Sequence, residues 1–448
     1  ISHSSSVMNT KIINFIETMG YSMRSYVTRY DGNTPLADSM LGIKYVIDNN
    51  NNSSLLNPDY EPVFSYDYKN QKDEDKTLTV YRNPDALSIG YMIDNSITNL
   101  AFLGNDNPFN SQNMLLSTAT GNTEFLNQDG SILINGNKEY YTRLDTEIST
   151  QQIQVSPYGD QTLYTADADA VDPIINIHFT AQTSDDIYMY LKTQNEKAVN
   201  TWISSEKGSD GQFTNHKSLG SGSYFENHNY SIVRVGSFEP GTEIEVRLTV
   251  RLNSTEPDKE EYTIIKDFQF YQFHKDLFDE DIALLKQNQW EISDYNDRYI
   301  EGTITAEDGQ IMLTTIPSEP GWSIKVDGKK VEPVEILKAF IGIPLEPGTH
   351  TVTMKYTPPG FNLGVVTLIL GIAIIVLIYL KSDKKIIAQL AEQQKKLEEE
   401  QQKAQKKAKE KVNKLIKSKG AVANIDIEKM DNKDDNSENP ENKDDSEK

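Results

Sequence analysis

The segment YSMRSYVTRYDGNTPLADSMLGIKYVI, residues 21–47, holds the densest group of charged and aromatic side chains in the chain. Arginine guanidinium groups bind oxyanions through paired hydrogen bonds, and tyrosine rings match the apolar faces of sugars. The sequence therefore predicts an acceptor- or phosphate-binding site formed by Arg24, Tyr26, Arg29, Asp31, Asp38 and Tyr45. The alternative is internal ion pairing, Arg29 with Asp31 or Arg24 with Asp38, which would support the fold instead.

A second candidate is Trp322, in the stretch PGWSIKVDGKKV, where an indole ring could serve as a carbohydrate platform. Its alternative interpretation is a core residue at the start of a strand. The same two interpretations apply to Trp202 and Trp290.

Several kinds of chemistry are excluded by composition. The chain has no cysteine, so disulfides, cysteine-ligated metals and thiol catalysis are ruled out. Its six histidines are spread singly and are interpreted as surface or strand residues, so we expect neither a metal site nor a cofactor. No Gly-rich phosphate loop, G-x-S-x-G elbow or H-E-x-x-H motif is present, so no catalytic residue is assigned. A formal net charge of -23 argues against a nucleic-acid partner.

The run LGVVTLILGIAIIVLIYL, residues 363–380, carries no charge and predicts one transmembrane helix within 361–381. At 1.5 Å per residue, 18 residues cover about 27 Å, close to the hydrocarbon thickness of a bilayer. A buried core helix is the alternative. Lys381, Lys384 and Lys385 follow the run, so the positive-inside rule predicts residues 1–358 outside the cell and 382–448 in the cytoplasm.

The N-terminal region lacks a charged start, an apolar run and a small-residue cleavage site, so it does not resemble a signal peptide. Export of a long segment ahead of a span needs an earlier membrane signal. We therefore expect the sequence to be a fragment whose upstream part holds other membrane segments.

The elements that position these residues are mainly β, with a small α+β unit at the N-terminus. Apolar periodicity predicts a helix over 7–20, capped by Ser5 or Ser6, and a short helix over 36–41. Alternating strand patterns with Asn, Asp, Gly and Pro turns follow, together with one helix over 275–287. The predicted domains are an α+β unit at 1–120, a β-sandwich at 121–288 and a small β-sandwich at 289–358.

The region after the span is rich in Lys, Gln, Glu and Ala, which are strong helix formers. Residues 382–419 are predicted to form a charged cytoplasmic helix, either solvated or in a weak coiled coil. Residues 426–448 hold almost no large apolar residue, and we expect a disordered acidic tail over 420–448.

Three stretches together resemble the C-terminal half of YfhO-type bacterial membrane proteins: MGYSMRSYVTRYDGNTPLADSMLGIKYVI, LTVYRNPDALSIGYMID, and GWSIKVDGKKV with GTHTVTMKYTPPGFNLG. The resemblance covers about residues 1–380 and leaves out the tail. It implies a multi-spanning protein similar to C-type glycosyltransferases, which transfer sugar from a polyprenyl-phosphate carrier to a wall polymer such as the lipoteichoic acid of Gram-positive bacteria. The catalytic carboxylate of that superfamily lies in the first outer loop, after the first span. We expect that loop to lie upstream of this fragment, so no catalytic residue is carried onto this sequence.

The resemblance thus implies membrane lipid, a lipid-linked sugar and a wall polymer as partners, with this region positioning the acceptor or capping the site. The rival hypothesis is a single-anchor surface module that binds glycan or protein without catalysis. A structural scaffold whose tail recruits partners is a third possibility. The sequence leaves the sugar, the acceptor and the oligomeric state open.

Overall fold

The computed structural model describes residues 3–4, 9–21, 23–24, 27–28, 30, 32–48, 56–100, 107–128, 131–135, 137–158, 161–167, 170–193, 199–220, 230–250, 264–381 and 384–418. The chain forms two units, residues 1–359 and 360–448. The helices are α1 (Thr10–Thr18), α2 (Pro35–Met40), α3 (Pro108–Ala119), α4 (Lys275–Gln287), α5 (Phe361–Lys381) and α6 (Lys384–Ser418). A 3-10 turn covers Asn95–Asn99.

The first unit is mainly β, as the sequence predicts. Its strands before the central sandwich are β1 (His3–Ser4), β2 (Met23–Arg24), β3 (Val27–Thr28), β4 (Tyr45–Asp48), β5 (Glu61–Lys69), β6 (Asp75–Arg82), β7 (Gly90–Asp94), β8 (Glu124–Gln128) and β9 (Ser131–Asn135). Those of the sandwich are β10 (Tyr141–Arg143), β11 (Glu147–Gln151), β12 (Ile153–Tyr158), β13 (Gln161–Ala166), β14 (Ile174–Thr180), β15 (Asp186–Thr193), β16 (Val199–Ser204), β17 (Glu206–Lys207), β18 (Phe213–Thr214), β19 (Lys217–Gly220), β20 (Tyr230–Ser237), β21 (Glu243–Val250) and β22 (Ile264–Phe273). The C-terminal strands are β23 (Glu291–Asn296), β24 (Tyr299–Ala306), β25 (Gln310–Pro317), β26 (Trp322–Val326), β27 (Lys329–Val331), β28 (Val334–Ile336), β29 (Phe340–Pro344) and β30 (Gly348–Tyr356).

The central sandwich consists of two antiparallel sheets. The back sheet has the order β12-β13-β22-β15-β20, with β10 added beside β22, and the open sheet has the order β11-β14-β21-β16-β19. Side chains alternate between the two faces of a strand, so Ile187, Met189 and Leu191 of β15 point into the core between the sheets. Tyr188 and Tyr190 point the other way, into a second core that also holds residues of α1, α2, α3 and α4. Strand β15 is therefore buried on both faces.

The first unit has two further large sheets, besides the small sheets β1-β3-β2, β4-β6-β5, β8-β9 and β17-β18. An inner sheet of order β28-β29-β25-β7 contributes Ile311 and Leu313 to the helix-containing core, whereas Met312 points into a third core. A sheet of order β23-β24-β30-β26-β27 closes that third core from the other side. Because β7 from the N-terminal region pairs with β25, the inner sheet joins segments far apart in sequence. The three domain boundaries remain a prediction.

Local signals account for most of these elements. The turn between β26 and β27 has Asp327 at φ 51° and Gly328 at φ 78°, the twist that a two-residue hairpin needs. Helix α4 occupies 275–287, as predicted, and β22 lies in the middle of the back sheet although it is the last sandwich strand in the chain.

Two features differ from the prediction. Helix α1 begins at Thr10 instead of residue 7, because Asn9 provides the cap: its Oδ1 accepts from the Lys11 and Ile12 amides. Helix α3 was not predicted, because its buried surface includes polar side chains and it has no apolar stripe.

Gly302 in β24 lies against the backbone of β23, which gives a test of the third core. An added Cβ would lie 2.3 Å from the Glu291 carbonyl oxygen and 2.8 Å from Nε1 of the buried Trp290. Gly302→Ala is therefore expected to lower the free energy of unfolding by about 2–3 kcal/mol, measured by chemical denaturation. Gly309→Ala is the control: its Cβ would meet nothing within 4 Å, so only its φ of 79° costs stability, about 1 kcal/mol. Equal losses for both variants would contradict the packing argument.

The second unit contains α5 and α6. The part of α5 from Phe361 to Tyr379 is long and apolar enough to cross a membrane, and none of it is buried. Helix α6 confirms the predicted charged helix after the span. The tail predicted for 420–448 lies outside the described residues.

Candidate functional site

Helix α2 is the best-defined part of the segment predicted to bind a phosphate or a sugar. Thr34 caps it by accepting a hydrogen bond from the Ala37 amide at 3.3 Å, and Pro35 occupies the first turn, where a missing N–H costs nothing. All six residues of the helix are buried, and Asp38 is 0% exposed. The local sequence thus carries an acidic side chain into the protein interior.

Three tyrosines surround the Asp38 carboxylate. Tyr21 donates its hydroxyl to Oδ1, and Tyr30 and Tyr60 donate theirs to Oδ2. Burial raises the pKa of all three tyrosines, so they remain protonated donors. Burial also raises the pKa of Asp38 to about 6, because the loss of solvation outweighs the hydrogen bonds that favour the carboxylate. This tyrosine cage is closed to a polymeric ligand.

The other predicted residues of this segment are placed differently. The side chain of Arg24 and the whole of Tyr26, Arg29 and Asp31 lie outside the described residues. Tyr45 is in β4 and is 55% exposed. Its strand belongs to a three-stranded sheet, β4-β6-β5, whose Ile47, Phe64 and Tyr66 are also exposed. Tyr45 is therefore a surface residue, whereas Asp38 is buried. The predicted oxyanion-binding site stays a prediction.

Trp322 lies at the start of β26. Its ring centroid is 5.1 Å from that of Tyr356, at an angle of 53°, and the side chain is half-buried against the third core. Trp290 is 2% exposed in the same core, whereas Trp202 is half-buried in the open sheet. Of the three tryptophans, Trp202 is the one that lies beside polar residues of the open sheet, since it pairs with Arg247.

The outer face of the open sheet carries a row of polar and aromatic side chains, which we call the open face. Across three neighbouring strands, Asn176 of β14 pairs with Arg247 of β21, which pairs with Trp202 of β16. In the next row, His178 pairs with Glu245. Alternation along each strand places Ile175, Ile177, Val246 and Leu248 in the core and leaves these polar residues on the opposite side.

Glu245 organises the open face. Its carboxylate accepts hydrogen bonds from His178 Nε2 at 2.7 Å, His216 Nε2 at 2.5 Å and Arg247 Nη2 at 3.1 Å. Burial by itself raises the pKa of Glu245, but the hydrogen bonds from His178 and His216 and the nearby Arg247 charge outweigh that effect and lower it. Arg247 also donates from Nε to Asn176 Oδ1 at 2.9 Å. The network fixes the positions of five side chains before any ligand binds.

A short hairpin, β17-β18, adds an aromatic wall beside this network. The Phe213 ring stacks on His178, with centroids 5.3 Å apart and planes 14° from parallel. Lys207 lies 4.9 Å from the Phe213 centroid and forms an ion pair with Glu243. A cleft of about 700 Å³ opens here, lined by these four side chains and Glu147 among others. It is large enough for one or two sugar rings.

The open face has the chemistry of a ligand-binding surface. Planar guanidinium and amide groups can form paired hydrogen bonds with neighbouring hydroxyls, and indole and phenyl rings can stack on sugar rings. Among the described residues, no group of three His, Cys, Asp or Glu side chains is arranged to hold a metal ion.

The model of the family described as "Bacterial membrane protein YfhO" matches residues 1–367. The chain belongs to the YfhO family. This membership and the apolar helix within α5 agree on a membrane protein. No curated protein matches the chain.

Some solved structures are similar to part of this YfhO chain. One is CBM29_1, a family 29 carbohydrate-binding module from Piromyces equi, with 15% identity and a TM-score of 0.21, covering 30% of this chain and 90% of the module. Another is CpGH89CBM32-4, produced by Clostridium perfringens, with 12% identity and a TM-score of 0.21, covering 28% of this chain and 94% of that one. Scores this low carry no functional conclusion.

Sequence reasoning missed the open face of the YfhO chain. A signal was present: INIHFT and EIEVRLTV alternate apolar and polar residues, which places Asn176 with His178, and Glu245 with Arg247, on single faces. The pairing of these two strands was not predictable, because β14 and β21 are about 70 residues apart and join through the sheet topology.

Proposed function

We propose that residues 1–359 form the glycan-handling region of a membrane-bound sugar-transferring enzyme, and that the open face binds the acceptor. The sugar would come from a polyprenyl-phosphate carrier, and the acceptor is a wall polymer such as lipoteichoic acid. In this proposal residues 1–358 lie outside the cell and 382–448 lie inside. The observation that carries it is the network of Asn176, His178, Glu245 and Arg247 beside Trp202 on the outer face of the open sheet.

The preorganised network supports ligand binding in a specific way. Side chains already held by neighbours lose little conformational freedom when a ligand binds, so more of the interaction energy contributes to affinity. Arg247 is fixed by Glu245 and Asn176, and three of its five N–H donors are not used by the two contacts described for it. These donors suit hydroxyl or phosphate oxygens of a wall polymer.

The contribution to catalysis is positional. An acceptor held near a lipid-linked donor reacts in a local encounter instead of a two-body collision, which can lower the barrier by several kcal/mol. No described residue is assigned to the chemical step.

Binding of purified lipoteichoic acid to the full chain in detergent, measured by calorimetry, tests the proposal. Trp202→Ala and Arg247→Ala are each expected to weaken binding about tenfold, equal to about 1.4 kcal/mol. Arg298→Ala, in the turn between β23 and β24 and outside the open sheet, is the matched control and should leave affinity unchanged. Trp322→Ala tests the alternative platform. Loss of binding there, with Trp202→Ala unaffected, would reject the open face.

A transfer assay separates the enzyme from a single-anchor binding module. In cells that carry the complete gene, Trp202→Ala should reduce glycosylation of the wall polymer in parallel with binding. Weakened binding with unchanged glycosylation would favour the binding module and contradict the positional role.

A further inference from the structure

Helix α6 differs in charge from the rest of the molecule. The chain has a formal net charge of -23, yet residues 384–418 hold 11 lysines against 5 glutamates, a net charge of +6. Seven of these lysines lie in the last half of the helix, where Glu410 is the one acid. Only residues 382–383 separate α6 from the membrane-capable helix α5. A strongly basic helix is thus attached directly beside a bilayer.

The helix is also two-sided. At about 100° per residue, Ile387, Leu390, Leu397, Val412 and Leu415 fall within an arc of about 80°. All five side chains are exposed, by 55% to 62%. Gln394, Gln401, Ala404 and Ala408 continue the same stripe and carry no charge. Nearly all the lysines lie on the remaining surface.

We propose that α6 lies flat along the membrane and binds anionic lipid headgroups through its lysines, with its aliphatic stripe in the interfacial region. Opposite charge attracts the helix to the surface, and long lysine side chains can reach the headgroups while their methylene stems remain on apolar surface. A coiled coil with a second copy is less favourable, because the middle of the stripe has only Gln and Ala to fill a seam and the flanking lysines repel each other. This role is independent of the proposed glycan binding.

The absence of cysteine makes the test direct, since one substitution creates a unique labelling site. The full chain is reconstituted as Leu397→Cys or as Lys396→Cys, the adjacent residue, which lies about 140° around the helix from the centre of the stripe. Each variant is labelled with an environment-sensitive fluorophore. In vesicles with about one-third phosphatidylglycerol, the Leu397→Cys label should shift to the blue and lose accessibility to an aqueous quencher at least threefold, while the Lys396→Cys label stays accessible. In pure phosphatidylcholine both labels should stay accessible.

Two further arms complete the test. About 1 M NaCl, where the Debye length is about 3 Å, should restore accessibility at position 397, as should Lys406→Gln combined with Lys407→Gln and Lys414→Gln. Equal accessibility at positions 397 and 396 in both lipids would overturn the proposal. So would protection at 397 in both lipids with disulfide crosslinking between copies, which would show a coiled coil instead.

Discussion

Replacing Asp38 with Ala is expected to lower the free energy of unfolding by about 4 kcal/mol, because three buried or half-buried tyrosine hydroxyls lose their acceptor. A hydroxyl left without a partner costs about 1–3 kcal/mol, and some of the three will find substitutes. Chemical denaturation of the full chain in detergent, followed by tryptophan fluorescence, measures the change. Tyr60→Phe removes one donor and should cost about 1 kcal/mol.

The control for this variant is Asp67→Ala. Asp67 is an exposed residue of the β5-β6 hairpin that accepts a hydrogen bond from Thr77, and its loss should cost no more than about 0.5 kcal/mol. Similar losses at positions 38 and 67 would mean that the tyrosine cage contributes little to stability.

The same carboxylate makes stability depend on pH. The folded-state pKa of Asp38 is about 6, against an ordinary value of 3.8, so the folded state holds its proton more tightly than the unfolded chain. The contribution of Asp38 to the free energy of unfolding therefore falls by about 3 kcal/mol at most as pH rises from about 4 to about 6. Above that range it is constant. Asp38→Asn lacks this titration. The difference in unfolding free energy between wild type and Asp38→Asn should shrink over that window, and a difference that grows would show that the hydrogen bonds outweigh burial.

Helices α4 and α3 show which elements of this fold could be predicted from the sequence and which could not. Helix α4 has apolar residues on one side, including Phe278, Ile282 and Leu285, so its period was visible. Helix α3 buries Gln112 and Asn113 along with its apolar residues, so no period appeared. These polar groups are satisfied from distant segments: Gln112 donates to the Met19 carbonyl and Asn113 to that of Tyr141, both at 2.8 Å. A local pattern carries no information about such partners.

The candidate sites show the same limit. Residues 21–47 were predicted as a site because arginine, tyrosine and aspartate are close together there, but closeness in sequence did not make Asp38 accessible. The open face, by contrast, is assembled from β14, β16 and β21 and from His216 in a loop. Its residues are unremarkable singly and meet only through strand pairing. Nonlocal pairing is the part of the structure that composition and periodicity cannot supply.

The second large stability effect is expected at the ion pair between Asp186 and Arg234 on the back sheet. Two parallel hydrogen bonds join them, Nε to Oδ2 at 2.8 Å and Nη2 to Oδ1 at 2.7 Å, and the side chains are only 6% and 16% exposed. Asp186→Ala removes the acceptor of both these hydrogen bonds from a mostly buried guanidinium, so it should lower the free energy of unfolding by about 4 kcal/mol.

The exposed pair between Lys330 and Glu332 is the matched control. Its N–O distance is also 2.7 Å, but its side chains are 66% and 80% exposed, so Glu332→Ala should cost less than about 0.5 kcal/mol. Replacing both buried partners, Asp186→Leu with Arg234→Met, should recover most of the stability lost in Asp186→Ala, because the buried guanidinium is removed together with its carboxylate. If the double variant is as unstable as the single one, the loss comes from packing and not from the loss of the carboxylate beside the Arg234 charge. Equal distances with unequal costs would show that burial, and not the length of the contact, sets the energy of an ion pair in this protein.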